Sequence, residues 1–230
     1  MKEKKRVFKE NLTSKLLQKE SLRILKDSKN LKICEIGCGD GNISNFLIKN
    51  MKYDNFFYLS DISNLAIKRA KKKTKYDRIE FKTGDLFKPW LNKKFDIVIS
   101  DVSSINQTVA QKSPWYIGID SNCGTDGLKN VKKIIRNLNH YLKEDGILII
   151  PIISLSDTDK LRNLLHSNFK FLNETNRIYW PLPNFFQKNI KLFDRLLEKN
   201  LIYFEKKFGQ HIAYTSVAIC KKIKKGKNVK

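Results

Sequence analysis

Short apolar runs alternate with amphipathic segments through most of this chain, and that alternation most constrains its fold. Strand-like runs are predicted at 31–36, 55–60, 78–84, 94–100, 147–153, 169–180 and 211–222. Helical patterns separate them at 41–51, 64–73, 126–143 and 157–168. Because most connections are short, a parallel sheet covered by helices on both faces is the economical arrangement. The sequence therefore predicts an α/β fold with a central, mostly parallel, seven-stranded sheet.

The same pattern divides the chain into parts. Residues 1–30 are predicted to form an N-terminal helical lead-in, 31–221 the α/β domain, and 222–230 a basic tail. Residues 102–125 form a long loop after the fourth strand, and 181–209 form a helical insertion. Segments this long in a compact domain usually carry function or are mobile. The insertion is expected to act as a lid or as a wall of the substrate site.

Charge narrows the class of partner. The chain has 46 basic and 23 acidic residues, a net charge of +23, which attracts polyanions. The basic residues are mostly lysine among many Asn and Ile, a bias also typical of an AT-rich coding background. A nucleic-acid partner is therefore indicated but not established.

Membrane-spanning, secreted and metal-binding classes of protein are disfavoured. The most apolar run, 146–155, is too short to span a bilayer, and no apolar signal core follows the basic N-terminus. We expect a cytoplasmic protein without membrane association. Cysteines and histidines lack metal-ligand spacing, so no metal site is predicted.

A glycine-rich turn follows the first predicted strand. The run "KICEIGCGDG" places Glu35 inside the strand and then Gly37, Cys38, Gly39 and Gly41 at its carboxyl end. Ligands of open α/β sheets bind at this edge, and glycine allows positive φ and close approach of a ligand. The pattern fits either a tight turn alone or a nucleotide-like ligand lying against bare backbone.

Acids follow the next two strands. Asp61, followed by Ile62, ends the second strand about twenty residues after the glycines, where a carboxylate can accept ribose hydroxyl protons. The alternative is a helix N-cap. Asp85 ends the third strand and could bind an adenine amino group, with Leu86 packing on the ring. Its alternative is an ordinary Gly-Asp turn.

The stretch "CEIGCGDGNIS" resembles the first motif of class I S-adenosylmethionine-dependent methyltransferases, acid-x-Gly-x-Gly-x-Gly. This resemblance implies a Rossmann-like fold and S-adenosylmethionine as cofactor. It implies that the glycine turn holds the amino-acid part of the cofactor and that Asp61 and Asp85 bind ribose and adenine. Glu35 would order the loop and balance the positive sulfonium. The implied cofactor-binding residues are Glu35, Gly37, Cys38, Gly39, Gly41, Asp61, Ile62, Asp85, Leu86 and Asp101.

The fourth strand ends in "FDIVISDVSSI", where amino-nitrogen methyltransferases commonly read Asn- or Asp-Pro-Pro-Tyr. With the stretch beginning "GIDSNCGTDGLKNV", it resembles the HemK/PrmC branch, whose members methylate glutamine side chains of release factors. Here Asp101 is followed by Val-Ser-Ser instead of Pro-Pro-Tyr.

Asp101 is the predicted catalytic residue. It could accept a hydrogen bond from an acceptor NH2 group or act as a general base, or it could only cap the turn. Ser103 and Ser104 could bind the acceptor or remain solvated. Trp115 and Tyr116 could replace the missing stacking surface or pack the loop onto the domain.

The sequence therefore predicts a methyltransferase that acts on a macromolecule, protein or RNA, with a nitrogen acceptor favoured. Two alternatives stay open. One is a small-molecule methyltransferase with an oxygen or nitrogen acceptor. The other is an inactive cofactor-binding or RNA-binding module, suggested by the altered motif.

Overall fold

A computed structural model describes residues 6–119 and 121–223, and within them one mixed sheet organises the chain. Its main strand order is β3-β2-β1-β4-β5-β9-β6, with β7 and β8 both paired to β9. The strands are β1 (Lys32–Ile36), β2 (Phe56–Asp61), β3 (Ile79–Thr83), β4 (Phe95–Ser100), β5 (Leu142–Ile153), β6 (Phe169–Glu174), β7 (Ile178–Pro181), β8 (Glu205–Lys207) and β9 (Gln210–Lys222).

Eight α-helices are found in the described residues. They are α1 (Leu12–Leu25), α2 (Asn42–Asn50), α3 (Asn64–Lys73), α4 (Gln107–Lys112), α5 (Lys129–Tyr141), α6 (Thr158–Asn168), α7 (Asn184–Lys188) and α8 (Ile190–Glu198). Short 3-10 turns lie at Lys88–Trp90 and Pro114–Tyr116. The predicted α/β fold with helices on both faces of a mostly parallel sheet is confirmed.

Strand β1 lies at the centre of the parallel part of the sheet. It pairs in parallel with β2 on one side and with β4 on the other. Ile33 belongs to one hydrophobic core, whereas Cys34 and Ile36 belong to another, so both faces of the strand are buried. Such two-sided burial explains why the strands read as nearly unbroken apolar runs. From β1 the chain runs outward through β2 to β3 and then returns to β4 on the other side of β1. This reversal of strand order is a switch point, which creates a crevice at the carboxyl edge of the sheet.

The predicted count of seven strands is wrong, because the described sheet has nine. The predicted strand 169–180 is divided into β6 and β7, which both pair antiparallel with the 13-residue β9. Between them the Thr175 N–H donates to the Val217 carbonyl, so the chain continues along β9 with a break in register. The second extra strand, β8, forms a hairpin with β9 inside the stretch predicted to be helical.

The insertion 181–209 and the long loop after β4 share a third hydrophobic core, separate from the two that contain the residues of β1. Phe186, Phe193 and Phe204 from the insertion are buried against Ile105 and Val109 of the loop after β4. The Phe186 ring lies 4.2 Å from that of Phe193 and 4.9 Å from that of Phe204, measured between centroids. The insertion therefore packs against the long loop and holds it in place.

The remaining expectations concern the chain ends and membranes. Of the predicted basic tail, Lys222 belongs to β9, and residues 224–230 lie outside the described residues. Within 6–119 and 121–223, no helix combines the length and apolar character that crossing a bilayer would need.

We predict that Phe186→Ala destabilises the protein by about 3–5 kcal/mol, because it removes a fully buried ring from the core that joins the insertion to the loop. The measurement is the free energy of unfolding in urea. Phe208→Ala is the matched control, since Phe208 lies in the same insertion but is 99% exposed. Equal losses in the two variants would contradict this role for the insertion.

Candidate active site

A cavity of about 890 Å³ opens at the carboxyl edge of β1, β2 and β4. It brings together nearly all the residues that the sequence singled out. The predicted site residues that line it are Glu35, Gly37, Cys38, Gly39, Asp61, Ile62, Asp85, Leu86 and Asp101. Gly41 lies behind the turn instead: it precedes α2 with φ +77°, and an added Cβ would be 3.3 Å from Ala70 Cβ.

The glycine turn is fixed to the neighbouring strand. The N–H groups of Gly37 and Cys38 both donate to the Ser60 carbonyl, at 2.9 and 3.1 Å. Gly37 has φ +75°, and a Cβ there would lie 2.8 Å from Val102 Cγ1. At Gly39 the nearest atom to such a Cβ is Val7 Cγ1, at 3.9 Å. The turn therefore needs glycine at Gly37 and presents bare main chain to the cavity at Gly39.

Glu35 is buried between β1 and α2. Its Oε2 accepts hydrogen bonds from the Ser44 N–H, at 3.0 Å, and from the Ser44 hydroxyl. This caps the first turn of α2 with a carboxylate from the strand. Its Oε1 is buried without a hydrogen-bond partner among the described residues.

The protonation of Glu35 follows from that environment. Burial raises the pKa of Glu35 to about 8; the Ser44 hydrogen bonds oppose the rise, and the charges of Asp101 and Asp61 add to it. A cation in the cavity would favour the charged carboxylate.

Asp61 connects the glycine turn to the start of α3. Its Oδ2 accepts from the Gly39 N–H at 2.9 Å, and its Oδ1 from the Ser63 N–H at 2.8 Å. The N-cap of α3 is Ser63, whose hydroxyl accepts from the Ala66 N–H. Burial raises the pKa of Asp61, against the effect of these two N–H donors.

Asp85, Leu86 and Ile62 form one end of the cavity. Asp85 makes a 3.1 Å ion pair with the exposed Lys88. Leu86 packs against the core with φ +50°. Ile62 is 64% exposed although it lines the cavity. Apolar side chains beside a carboxylate suit a flat heteroaromatic ring that carries an amino group.

Asp101 follows β4 directly beside the glycine turn. Its N–H donates to the Ile36 carbonyl at 3.2 Å, and its Oδ2 accepts from the Ser14 hydroxyl at 2.7 Å. Burial raises the pKa of Asp101; the Ser14 hydrogen bond opposes this, and the charge of Glu10 adds to it.

The N-terminal segment is a part of the site that the sequence did not predict. Residues 6–14 contribute Arg6, Val7, Phe8 and Ser14 among others to the cavity wall. The Phe8 ring packs 5.3 Å from that of Tyr116. The stretch RVFKENLTS carries no sequence signal for such a contact, since the contact depends on how α1 docks on the sheet.

The two aromatic residues of the long loop have different surroundings. Tyr116 lines the cavity, and burial raises its pKa, against the effect of the nearby Ser103 side chain. Trp115 packs against Trp180 and Phe185, with centroid distances of 5.9 and 5.3 Å. Tyr116 thus faces the cavity, and Trp115 joins the loop to the insertion.

No described residue of 181–209 lines the cavity. The predicted role of the insertion as a lid over a bound acceptor stays a prediction. In the described ranges, 6–119 and 121–223, no group of three or more His, Cys, Asp or Glu side chains could hold a metal ion.

The residues that line the cavity are chemically compatible with S-adenosylmethionine. Main chain without a covering side chain at Gly39 would leave room for the amino-acid part, and the unpartnered Glu35 Oε1 could accept the charge of a bound cation. Asp61 and the end formed by Asp85, Leu86 and Ile62 suit the nucleoside.

The strand order and the site define a nucleoside-binding α/β enzyme of the class I methyltransferase type. The family model described as "Methyltransferase domain" matches residues 27–210, and the chain belongs to this family. It is an S-adenosylmethionine-dependent methyltransferase.

Curated relatives support the assignment. The chain is 34% identical over 153 residues to the release factor glutamine methyltransferase of Dictyoglomus turgidum, a match covering 60% of this chain and 51% of that protein. It is 27% identical to the tRNA N(3)-methylcytidine methyltransferase trm140 of Schizosaccharomyces pombe, covering 82% of this chain and 61% of that protein. The chain thus spans between half and two thirds of these relatives.

A solved structure shares the fold. The ribosomal protein L11 methylase of Lactobacillus delbrueckii subsp. bulgaricus superposes with a TM-score of 0.57 at 16% identity, covering 93% of this chain and 81% of that one.

We predict that Glu35→Gln makes the protein progressively more stable, relative to the wild type, as pH rises from 5 to 8. In that window the folded wild type keeps a proton on Glu35 that the unfolded chain releases, so its stability falls as pH rises. The glutamine amide of the variant does not titrate. The difference should grow by at most about 1.4 kcal/mol per pH unit.

Urea unfolding at several pH values measures this difference. Glu198→Gln, at an exposed site, is the control. Its change in stability measures the general effect of removing one carboxylate. Parallel pH profiles for the wild type and Glu35→Gln would contradict the proposed protonation of Glu35.

Proposed function

We propose that this protein transfers the methyl group of S-adenosylmethionine to a nitrogen atom of a macromolecule, protein or RNA, as a HemK/PrmC-like enzyme with an altered acceptor motif. The observation that carries the proposal is the position of Asp101, which follows β4 in the same cavity as the glycine turn. The Asp101 N–H donates to the last residue of β1, so the carboxylate lies beside the cofactor turn.

Asp101 is proposed to orient the acceptor. A carboxylate accepts hydrogen bonds from an NH2 group and can direct its lone pair toward the methyl group. Methyl transfer depends mainly on such alignment and on exclusion of water, and needs little acid–base chemistry. Ser14 holds the carboxylate from α1, and the wall formed by residues 6–14 limits access of water to the crevice.

The residues proposed to contact the methyl acceptor differ from the Asn-Pro-Pro-Tyr motif but offer comparable chemical groups. Tyr116, fixed by Phe8 and Ser103, presents an aromatic ring where the motif has lost its tyrosine. Ser104 lines the cavity with its hydroxyl oxygen buried and without a partner among the described residues. We propose that Tyr116 packs against the acceptor group and that Ser104 hydrogen-bonds it.

Residues at the ends of several strands would hold the cofactor. In this proposal Gly37, Cys38 and Gly39 cradle its amino-acid part, Asp61 accepts the ribose hydroxyls, and the end formed by Asp85, Leu86 and Ile62 holds the adenine. Glu35 keeps α2 in place and balances the positive sulfonium. Gly41 contributes indirectly, by letting the turn enter α2.

A macromolecular acceptor is supported by charge and by the relatives. The net charge of +23 favours nucleic acid or a ribonucleoprotein, and the named substrates of the relatives include release factors and tRNA. The cytoplasmic location stays a prediction.

We predict that Asp61→Ala weakens S-adenosylmethionine binding by about 1–3 kcal/mol, because it removes the proposed acceptor of the ribose hydroxyls. Isothermal titration calorimetry measures the affinity, and urea unfolding separates it from stability. Asp157→Ala is the control, since it removes an aspartate N-cap from α6, outside the cavity lining, and should lower stability while leaving the affinity nearly unchanged. Unchanged affinity in Asp61→Ala would reject the ribose role.

We predict that methyl-tritiated S-adenosylmethionine labels the protein or RNA fraction of a cell extract, and that Asp101→Asn lowers the rate about tenfold to a hundredfold. Asn keeps an oxygen for Ser14, so the variant tests the carboxylate itself. Label in small molecules would instead indicate the metabolite enzyme. No incorporation despite tight cofactor binding would indicate an inactive module.

A further inference from the structure

A small sheet face outside the cavity carries exposed aromatic and basic side chains. We define the aromatic face by Arg177, Tyr179, Tyr203 and Lys207, together with Phe208 at the tip of the β8–β9 hairpin. Tyr179 is 48% exposed, Tyr203 39% and Phe208 99%. Such a concentration of exposed rings in one place marks a binding surface more often than chance exposure.

The backbone places these residues on one side of β9. Tyr179 of β7 pairs with Tyr214, and Lys207 of β8 pairs with Gln210, which shares a face with Tyr214 because side chains alternate along a strand. The buried Tyr214 is the centre of the arrangement: its ring lies 5.9 Å from that of Tyr179 and 5.7 Å from that of Tyr203.

Cations lie over these rings. The Arg177 guanidinium carbon is 4.3 Å from the Tyr214 ring centroid, and Lys207 Nζ is 5.4 Å from that of Tyr179. Two carboxylates lie near these cations: Glu205 pairs with Lys207 at 2.7 Å, and Glu174 interacts electrostatically with Arg177. Arg177 and Lys207 are both exposed, so they can contact a ligand as well as the rings.

Phe208 is held in an unfavourable position. It has φ +50° in a two-residue turn with Gly209, which has φ +73°, and nothing covers its ring. Asn or Asp would suit this turn better, and a bulky residue at positive φ is uncommon. An exposed ring kept where it costs conformational energy suggests a function for the ring.

The opposite side of the same strands is covered by the insertion. Trp180 packs on Trp115, and Phe204 and Phe186 pack near His211. The aromatic face therefore points outward, while the strands beneath it are fixed by a core.

The aromatic face lies at the edge of the sheet where the cavity opens. Because β9 runs antiparallel to β5, its first residues extend beyond the carboxyl end of β5. Ile153 ends β5, lines the cavity and pairs with Thr215, the neighbour of Tyr214. Tyr214 and Thr215 point to opposite faces of β9, so a macromolecule that contacts both regions would pass around this edge of the sheet.

We propose that the aromatic face binds a single-stranded segment of RNA, and that this RNA belongs to the methyl acceptor; the second statement rests on the proposed function. Exposed rings provide stacking surfaces for bases, and the neighbouring cations contact phosphates, the combination that binds single strands. A peptide would fill apolar pockets or add a strand at the free edge of β7 or β8, whereas rings and cations on an open face suit stacked bases and phosphates. The net charge of +23 favours the polyanion.

Fluorescence anisotropy with labelled 12-nucleotide oligouridine and oligoadenosine tests the proposal on the full chain. The wild type should bind both, more weakly at higher salt. Tyr179→Leu and Tyr203→Leu should each weaken binding roughly tenfold, as should Phe208→Asn, which suits the turn and removes the ring. Lys207→Gln should make the negative slope of log K against log salt shallower by about 0.7.

Tyr53→Leu is the matched control. Tyr53 is 44% exposed and has Lys52 over its ring at 5.1 Å, but it precedes β2 at the opposite edge of the sheet. It should bind RNA like the wild type. The proposal is overturned if the wild type does not bind, if the face variants bind normally, or if Tyr53→Leu loses as much affinity as Tyr179→Leu.

Cofactor calorimetry and label transfer on the same variants separate this proposal from the proposed function. RNA binding lost in the face variants, with S-adenosylmethionine affinity unchanged, supports the aromatic face even if no methyl transfer is found. A different outcome would overturn the RNA proposal. If the wild type does not bind RNA, and Tyr179→Leu reduces methyl transfer to protein, the aromatic face binds a protein partner instead.

Discussion

The carboxyl ends of β1, β2 and β4 are joined by backbone hydrogen bonds, and the site depends on that junction. The N–H groups of Gly37 and Cys38 donate to Ser60 at the end of β2, and the N–H of Asp101 donates to Ile36 at the end of β1. These bonds satisfy main-chain groups that a sharp turn would otherwise leave unpaired. They also fix the relative positions of Glu35, Asp61 and Asp101, which belong to three different strands or strand ends.

The junction brings three acidic side chains together at buried positions, where their charged forms are unfavourable. Glu35, Asp61 and Asp101 all have pKa values raised by burial, and no basic side chain is hydrogen-bonded to any of them in the described structure. An isolated buried negative charge is unfavourable, so such a cluster suits a positively charged ligand. The electrostatics of the fold and the charge of a sulfonium cofactor are therefore complementary.

The sequence predicted the parallel sheet and the acids at its edge because both depend on local patterns. Apolar runs of strand length and glycines after β1 are visible in the chain, and strand ends place Asp61, Asp85 and Asp101 at one edge. Residues 6–14 and the separate surroundings of Trp115 and Tyr116 were not predictable in this way. The Ser14–Asp101 hydrogen bond joins residues 87 positions apart, and only the packed tertiary structure brings them together.

The two extra strands were missed for a related reason. The stretch 169–180 has continuous strand character, and its division into β6 and β7 follows from the register of β9, 13 residues long. The hairpin of β8 follows from Phe208 and Gly209, of which only the glycine is a typical turn residue. Pairing partners far along the chain decided both outcomes.

The hydrogen bond from Ser14 to Asp101 has a consequence for biosynthesis. Helix α1 leaves the ribosome well before β4, so during translation Ser14 can bond its neighbour Asn11 but lacks Asp101 until four strands have been made. The wall that residues 6–14 contribute can form only once the central sheet exists. The candidate pocket is therefore completed only after β4 has been made.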